Sequence, residues 1–380
     1  MKRIALVANS SWYIYNLRLG LIKALQEFQV NITVIAPPDD FTIKLIREGC
    51  NFINIKVDNK GKNPLRDIQL YYSLKQIYRK QHFDLIFHYT IKPNIFGSLA
   101  ASATDQASIA VISGTGHSFI KRNLLFQITK RLYRLALRRC DEVWFVNNDD
   151  KALFLEKAII GDNYNILPGE GVNVSYFSPK PAVNRNEYTN FLFSGRLIGS
   201  KGINEYIEAA KIIKNRYPNT HFQILGYFDV PNPTSLTKKE ILAHHLEGTI
   251  EYLGFTDDVR PFIAETDCFI FPSYYGEGTP RSLLESASME IPIITTHNVG
   301  CKDVVEDGHN GFLCKPRDVK ALVSTIEAFL ELNDEARRQM GRNGRKKILL
   351  QFDEQLVISH YLRKLGFRNR NKKGVKAPQE

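Results

Sequence analysis

Residues 269–285 read Phe269-Ile-Phe-Pro-Ser-Tyr-Tyr-Gly-Glu-Gly-Thr-Pro-Arg-Ser-Leu-Leu-Glu285. The apolar run from Cys268 to Phe271 has the length of a buried strand. A Gly-rich corner follows, then a helix that Thr279 is placed to cap and Pro280 to open at its first position. Free backbone N–H groups at such a helix start favour an anion, and a phosphate suits them. Glu277 lies in the corner and Glu285 about two turns into the helix. One carboxylate on either side of a phosphate suits a nucleotide-sugar, with one acid for sugar hydroxyls and the other for the ribose.

Outward from this stretch, short β-type runs alternate with longer helical patterns, the signature of parallel α/β sheets. Strands are expected at Ile4–Val7, Ile32–Ile35, Phe52–Ile55, Leu85–Phe87, Ile109–Ile112 and Val143–Val146, with Tyr164–Leu167 as a further candidate. A second series comprises Phe191–Phe193, Phe222–Leu225, Ile250–Leu253, Cys268–Phe271 and Ile293–Thr295. Helices fill the gaps, for example Ile203–Arg216 and Val319–Leu330. Between Gly169 and Asn190 the text turns to Gly, Asn, Pro and Ser, which reads as a linker. The expected architecture is two doubly wound, Rossmann-like α/β domains facing a cleft, residues 1–175 and 176–352. Ligands of such sheets bind at the carboxyl ends of the strands.

Phe191-Leu-Phe-Ser-Gly-Arg-Leu-Ile-Gly-Ser-Lys-Gly202 is the second strong signal. A strand ends in Ser194-Gly195, Arg196 follows, and Lys201 stands just before a helix. Arg offers a planar fork for two phosphate oxygens and Lys a compact charge. Two such cations suit a diphosphate leaving group, stabilising charge where it develops. The plainer alternative is a solvated loop with two surface cations. The chain contains no Asp-x-Asp and no His/Cys cluster, so no metal and no other cofactor is expected.

Glu277 and Glu285 at this spacing, with GEGTPRSLLE, IPIITT and GCKDVVEDGHNGFL, resemble the retaining glycosyltransferase family four, of GT-B fold. The wording is closest to the branch that extends undecaprenyl-diphosphate-linked bacterial saccharides, with N-acetylgalactosaminyltransferases among its members. The resemblance spans about residues 1 to 365. It implies a UDP-sugar donor, a polyprenyl-diphosphate-linked acceptor and retention of configuration. It assigns Gly195, Arg196 and Lys201 to the donor diphosphate, and Glu277, Gly278, Thr279, Pro280, Leu284 and Glu285 to the donor pocket. Glu277, Arg196 and Lys201 carry the catalytic roles. The loop after Tyr252 holds the nucleobase, so Phe255 or its backbone borders a uracil, unless the ring packs into the core. The helix of about residues 353–367 crosses back to the first domain.

In the first domain, Ile109-Ala-Val-Ile-Ser-Gly-Thr-Gly-His117 gives a strand, a glycine turn and a histidine. His117 either meets the substrate, through its ring or its carbonyl, or makes a structural hydrogen bond. Asn9, Tyr15, Asn16 and Arg18 follow the first strand and are candidates for acceptor contact. Lys92 and Asn94, at a Pro-marked helix start, are candidates for the acceptor's diphosphate. Ordinary loop structure is the alternative for both groups.

At 380 residues the chain exceeds one core. No apolar run approaches the ~18 residues of a membrane span. Met1-Lys-Arg-Ile-Ala-Leu-Val-Ala has too short an apolar stretch for a signal peptide and reads as a first strand. Five cysteines without C-x-x-C fit free thiols in a reducing cytoplasm. The net charge of +11 suits phosphorylated substrates or an anionic membrane. Nucleic acid is not expected, since zinc-finger and RNA-recognition patterns are missing.

Residues 121–139 hold seven Lys or Arg and no acid. Lys130, Arg131, Arg134 and Arg138 share one arc at helical spacing. Leu124, Ile128, Leu132 and Leu135 are expected to face the core. Phe126, Tyr133 and Leu137 are expected to form a second stripe bordering the basic arc, as an interfacial helix on anionic lipid requires. The basic tail 368–380 would add to that attraction. The sequence thus reads as a cytoplasmic glycosyltransferase, peripheral on the inner membrane face. A soluble transferase with a small acceptor and a non-catalytic glycan- or anion-binding protein are the alternatives.

Overall fold

The structure, a computed structural model, describes residues 1–58, 63–115, 124–180, 188–228 and 234–367. The chain forms two compact α/β units.

The first unit is built on β1 (Arg3–Val7), β2 (Asn31–Ala36), β3 (Asn51–Asn54), β4 (Leu85–Tyr89), β5 (Ser108–Ile112), β6 (Glu142–Phe145) and β7 (Tyr164–Ile166). They pair in parallel in the order β3-β2-β1-β4-β5-β6-β7. Successive side chains of a strand point to opposite faces, and both faces of this sheet are covered. Ile4, Leu6, Ile32 and Val34 pack with the helices Ser11–Gln26 and Glu354–Lys364. Ala5, Val7 and Ile35 face the helix Pro64–Gln81. The Glu354–Lys364 helix therefore belongs to this unit. Its Tyr361 is fully buried, with its ring 4.8 Å from Phe87 and 4.9 Å from Trp144.

The second unit carries β8 (Thr189–Ser194), β9 (Thr220–Leu225), β10 (Glu251–Gly254), β11 (Cys268–Phe271), β12 (Ile293–Thr296) and β13 (Gly311–Cys314). All are parallel, in the order β10-β9-β8-β11-β12-β13. The order reverses between β8 and β11, so the chain leaves these two strands in opposite directions and a gap opens at their carboxyl ends. β13 has no counterpart among the expected strands. It is four residues long and starts with Gly311, where a Cβ would lie 2.2 Å from the Ile293 carbonyl oxygen. Only glycine allows the approach to β12, and a glycine weakens the strand signature.

Two further expectations need correction. The helix after the corner runs from Arg281 to Ser288, with Pro280 itself at the N-cap and no side-chain cap. Thr279 thus lies outside it, and Glu285 is its fifth residue rather than two turns in. On the helix Leu124–Leu137, Phe126, Tyr133 and Leu137 are buried, whereas Ile128 and Leu135 are 47% and 48% exposed. The stripe of Phe126, Tyr133 and Leu137 thus faces the core, while Ile128 and Leu135, expected inside, lie outside and Leu132 is half-buried. Both stripes have helical spacing, and the larger rings decide because burying them removes more apolar area from water. Tyr133 packs edge-on against Phe154 at 5.4 Å.

Candidate active site

Arg196 is the second residue past β8, after Gly195, and Lys201 closes the 3-10 turn Gly199–Lys201. Gly202 has φ +82°, and a Cβ there would lie 2.2 Å from the Pro272 carbonyl oxygen. This contact presses the Lys201 turn onto the segment leaving β11. A hydrogen bond from Tyr274 N–H to the Ser200 carbonyl (2.9 Å) seals the junction, and Ser273 Oγ lies 3.3 Å from the same oxygen.

The result is a close ion pair. Lys201 Nζ stands 2.5 Å from Glu277 Oε1, with side chains 12% and 9% exposed. Glu277 Oε1 also receives Ser273 Oγ at 3.0 Å. The ammonium lies 5.0 Å from the Phe271 ring centre and 5.4 Å from that of Tyr275, near enough to add cation–π attraction. Arg196 lies over the same Tyr275 ring at 5.5 Å. Burial pulls the Arg196 pKa down, but Tyr275, Tyr227 and Glu277 hold it above its ordinary value. Arg196 is therefore charged, and it stands with Lys201 at the carboxyl ends of β8 and β11.

Gly278, Thr279 and Pro280 are buried in the corner. Leu283 and Leu284 N–H turn back to the Pro280 carbonyl at 3.1 and 3.3 Å. That leaves the Arg281 and Ser282 N–H groups without an intrahelical acceptor. One turn on, Glu285 takes a hydrogen bond from Arg281 Nε at 3.2 Å, and its side chain is 16% exposed. Burial raises the Glu285 pKa, which the Arg281 charge offsets only in part. Leu284 is 0% exposed, so its side chain belongs to the core. Phe255 is 58% exposed and meets Tyr227 edge-on at 5.6 Å, which excludes the core alternative. These two rings stand just past the ends of β10 and β9.

Several neighbours carried no signal of their own in the sequence. In the sequence Ser273 and Tyr275 are only part of a corner, and Asn298 belongs to no motif. Their roles depend on loop contacts that spacing does not encode. Cys301 is also close: burial and then Glu277 push its thiol up to about 12, so it is an inert thiol.

In the first unit, His117 lies outside the described residues. Asn9 and Ser10 precede the helix Ser11–Gln26, whose N-cap is the Ser10 hydroxyl, accepting Tyr13 N–H at 3.2 Å. Asn16 Nδ2 donates to the Trp12 carbonyl at 3.0 Å. Tyr15 packs on Phe41 at 5.4 Å. Arg18 is 2% exposed and lies over the rings of Tyr89 (4.8 Å) and Tyr13 (5.7 Å). Lys92 pairs with Asp67 at 2.6 Å, and Asn94, 1% exposed, donates to the Val111 carbonyl at 2.9 Å. The expected helix at Pro93 forms, with π geometry over Pro93–Gly97 before it continues as the α-helix Ser98–Ser102. Of the acceptor candidates, Arg18 and Asn94 are thus interior groups of the unit.

The family descriptions Glycosyl transferase 4-like and Glycosyl transferases group 1 match residues 3–147 and 177–347. The N,N'-diacetylbacillosaminyl-diphospho-undecaprenol alpha-1,3-N-acetylgalactosaminyltransferase of Campylobacter jejuni is 26% identical over 95% of this chain and 97% of its own. The UDP-Gal:alpha-D-GlcNAc-diphosphoundecaprenol alpha-1,3-galactosyltransferase of Escherichia coli is 24% identical over 87% of this chain and 89% of its own. The crystal structure of Anabaena HepE in complex with UDP superposes with a TM-score of 0.79 at 18% identity. That alignment covers 96% of this chain and 100% of HepE. Both units, the strand-end cations and the paired glutamates thus lead to one conclusion: the chain belongs to the family-four glycosyltransferases and has the GT-B fold.

Proposed function

We propose that this glycosyltransferase moves a hexose or N-acetylhexosamine from a UDP-sugar to a polyprenyl-diphosphate-linked saccharide, in the synthesis of a bacterial surface polysaccharide or glycan. Two relatives named above act on undecaprenyl-diphosphate sugars, and this supports the acceptor class. The observation that carries the donor assignment is the Lys201–Glu277 pair, with Arg196 on the shared Tyr275 ring at the reversal of strand order.

The donor diphosphate competes with Glu277 for Lys201 and takes the Arg196 fork. Glu277 then turns to hydroxyls of the donor sugar, and Glu285 to those of the ribose. As the C1–O bond to the diphosphate breaks, charge builds on oxygens facing two fixed cations, where preorganised charge is most effective. The acceptor hydroxyl attacks C1 from the face the diphosphate leaves. Its proton passes to the departing phosphate oxygen, and configuration is retained. In this reading the cations take the part a metal would play, and turnover needs no divalent ion.

Among the described residues, no helix is long and apolar enough to cross a membrane. The proposal places the enzyme on the inner face of the cytoplasmic membrane through the helix Leu124–Leu137. The exposed Ile128 and Leu135 there lie among the exposed Arg131, Arg138 and Arg139, which complement anionic lipid. Arg134 instead caps the Lys157 and Ala158 carbonyls at 2.9 and 2.8 Å.

The test is a UDP-sugar panel with undecaprenyl-diphosphate mono- and disaccharides, read by product mass and anomeric coupling. One donor should yield a lipid product with retained configuration. Inverted product, or transfer only to soluble sugars, would refute the reading.

A further inference from the structure

The backbone pairing of β11 with β12 ends at Phe271 opposite Thr295. Beyond that point side chains continue the ladder. Thr295 Oγ1 donates to the Phe271 carbonyl at 2.6 Å, Thr296 Oγ1 to the Ser273 carbonyl, and Asn298 Nδ2 to the Tyr275 carbonyl at 2.6 Å. Alternate carbonyls of the loop are thus tied to successive groups of the neighbouring strand end. Thr295, Thr296 and Ser273 are all 0% exposed.

Ser273 is the point where this ladder meets the chemistry. Its Oγ accepts Tyr275 N–H at 3.2 Å and faces two acceptors, Glu277 Oε1 at 3.0 Å and the Ser200 carbonyl at 3.3 Å. A hydroxyl has one proton to give, and the nearer, charged carboxylate is the stronger acceptor. The serine therefore ties down the oxygen of Glu277 that also meets Lys201, and so limits where the second oxygen can point. A carboxylate held this way distinguishes axial from equatorial hydroxyls, because leaving a buried group mispaired is penalised.

We propose that Ser273, held in place by Thr296, is a positioning residue that fixes the Glu277 carboxylate and thereby sets the discrimination among UDP-sugars. The inference rests on the reading that Glu277 meets the donor sugar, and its test separates the two.

UDP, UDP-glucose, UDP-galactose and their N-acetyl forms are titrated calorimetrically against wild type, Ser273→Ala, Thr296→Val and Glu277→Ala. Ser273→Ala should bind UDP within about twofold of wild type, while the affinity spread across the four sugars narrows about tenfold. Thr296→Val keeps the side-chain shape, should narrow the spread in the same sense, and serves if Ser273→Ala does not fold. If Ser273→Ala weakens UDP and every UDP-sugar by one common factor, Ser273 is merely structural and the proposal is overturned. If Glu277→Ala collapses the spread and neither other variant does, the proposal alone fails. If Glu277→Ala leaves the spread intact, the reading beneath it fails as well.

Discussion

Lys201 Nζ and Glu277 Oε1 stand 2.5 Å apart although 76 residues separate them in the chain. One group ends the turn after β8 and the other lies in the loop after β11, so their meeting follows from the reversal of strand order. Neither is well solvated, and removing one partner leaves a nearly buried charge behind.

Replacing Lys201 by Met should therefore do two things. UDP-sugar kcat/KM should fall about 100-fold or more, as for loss of a preorganised charge at a leaving group. UDP affinity should fall too, whereas Glu277→Gln, which removes the competitor for Lys201, should raise it. Calorimetric UDP titration of the two variants checks the asymmetry.

Gly202→Ala probes the contact that seats this pair. The φ of +82° and the 2.2 Å approach to the Pro272 carbonyl both forbid a side chain. Stability should drop by about 2 kcal/mol or more, and activity should fall further than the melting temperature implies. Denaturant unfolding and turnover on the same sample measure both.

Glu285 carries a pKa raised by burial, so the folded state favours its neutral form. Its contribution to stability is present at acid pH and lost as pH rises through the folded value. Glu285→Gln should hence melt higher than wild type at pH 8, and the gain should fade on acidification. UDP should bind more weakly to the same variant, while UDP and 2′-deoxy-UDP become alike. Melting curves from pH 8 to pH 4 and paired titrations check this.

His88 has the opposite sign. It is buried between Tyr78 Oη (3.0 Å) and Ser98 Oγ (3.3 Å), and burial lowers its pKa from 6.5 to about 3. The unfolded chain takes up a proton below pH 6.5 that the folded protein refuses. Stability is thus lost as pH falls from 6.5 towards 3, at up to about 1.4 kcal/mol per pH unit. His88→Asn should lower stability at pH 7.5 but flatten this acid slope, as urea unfolding at pH 7.5 and 5 would reveal.

Ile128→Asp with Leu135→Asp should abolish binding to vesicles containing anionic lipid, and high salt should weaken the wild type. Phe126→Ala should act on folding instead, since that ring is 6% exposed. Equal wild-type binding to neutral and anionic vesicles would remove the basic face from the account. Sedimentation with liposomes separates these outcomes.

Strand runs, the corner and the strand-end positions of Arg196 and Lys201 were legible because each lies in a contiguous stretch with a strand before it. Ile203–Arg216 and Val319–Leu330 emerge with the expected limits. β13 was not legible, since Gly311 serves a close approach rather than a strand pattern. The buried face of the Leu124–Leu137 helix was not legible either, because spacing is blind to volume when two apolar stripes compete. Thr296 and Asn298 were equally hidden, as their bonds join residues 23 positions apart, and the Ser273–Glu277 bond lies within a corner that has no periodicity. The interior position of Arg18 is a further case, for a guanidinium among tyrosines reads on paper like any helix-start cation.

The most direct measurement is a crystal structure with a UDP-sugar bound. The account predicts both phosphorus atoms beside Arg196 and Lys201 at the carboxyl ends of β8 and β11, with the sugar on Glu277 and the ribose on Glu285. A diphosphate lodged away from both cations, with the Lys201–Glu277 pair undisturbed, would contradict it.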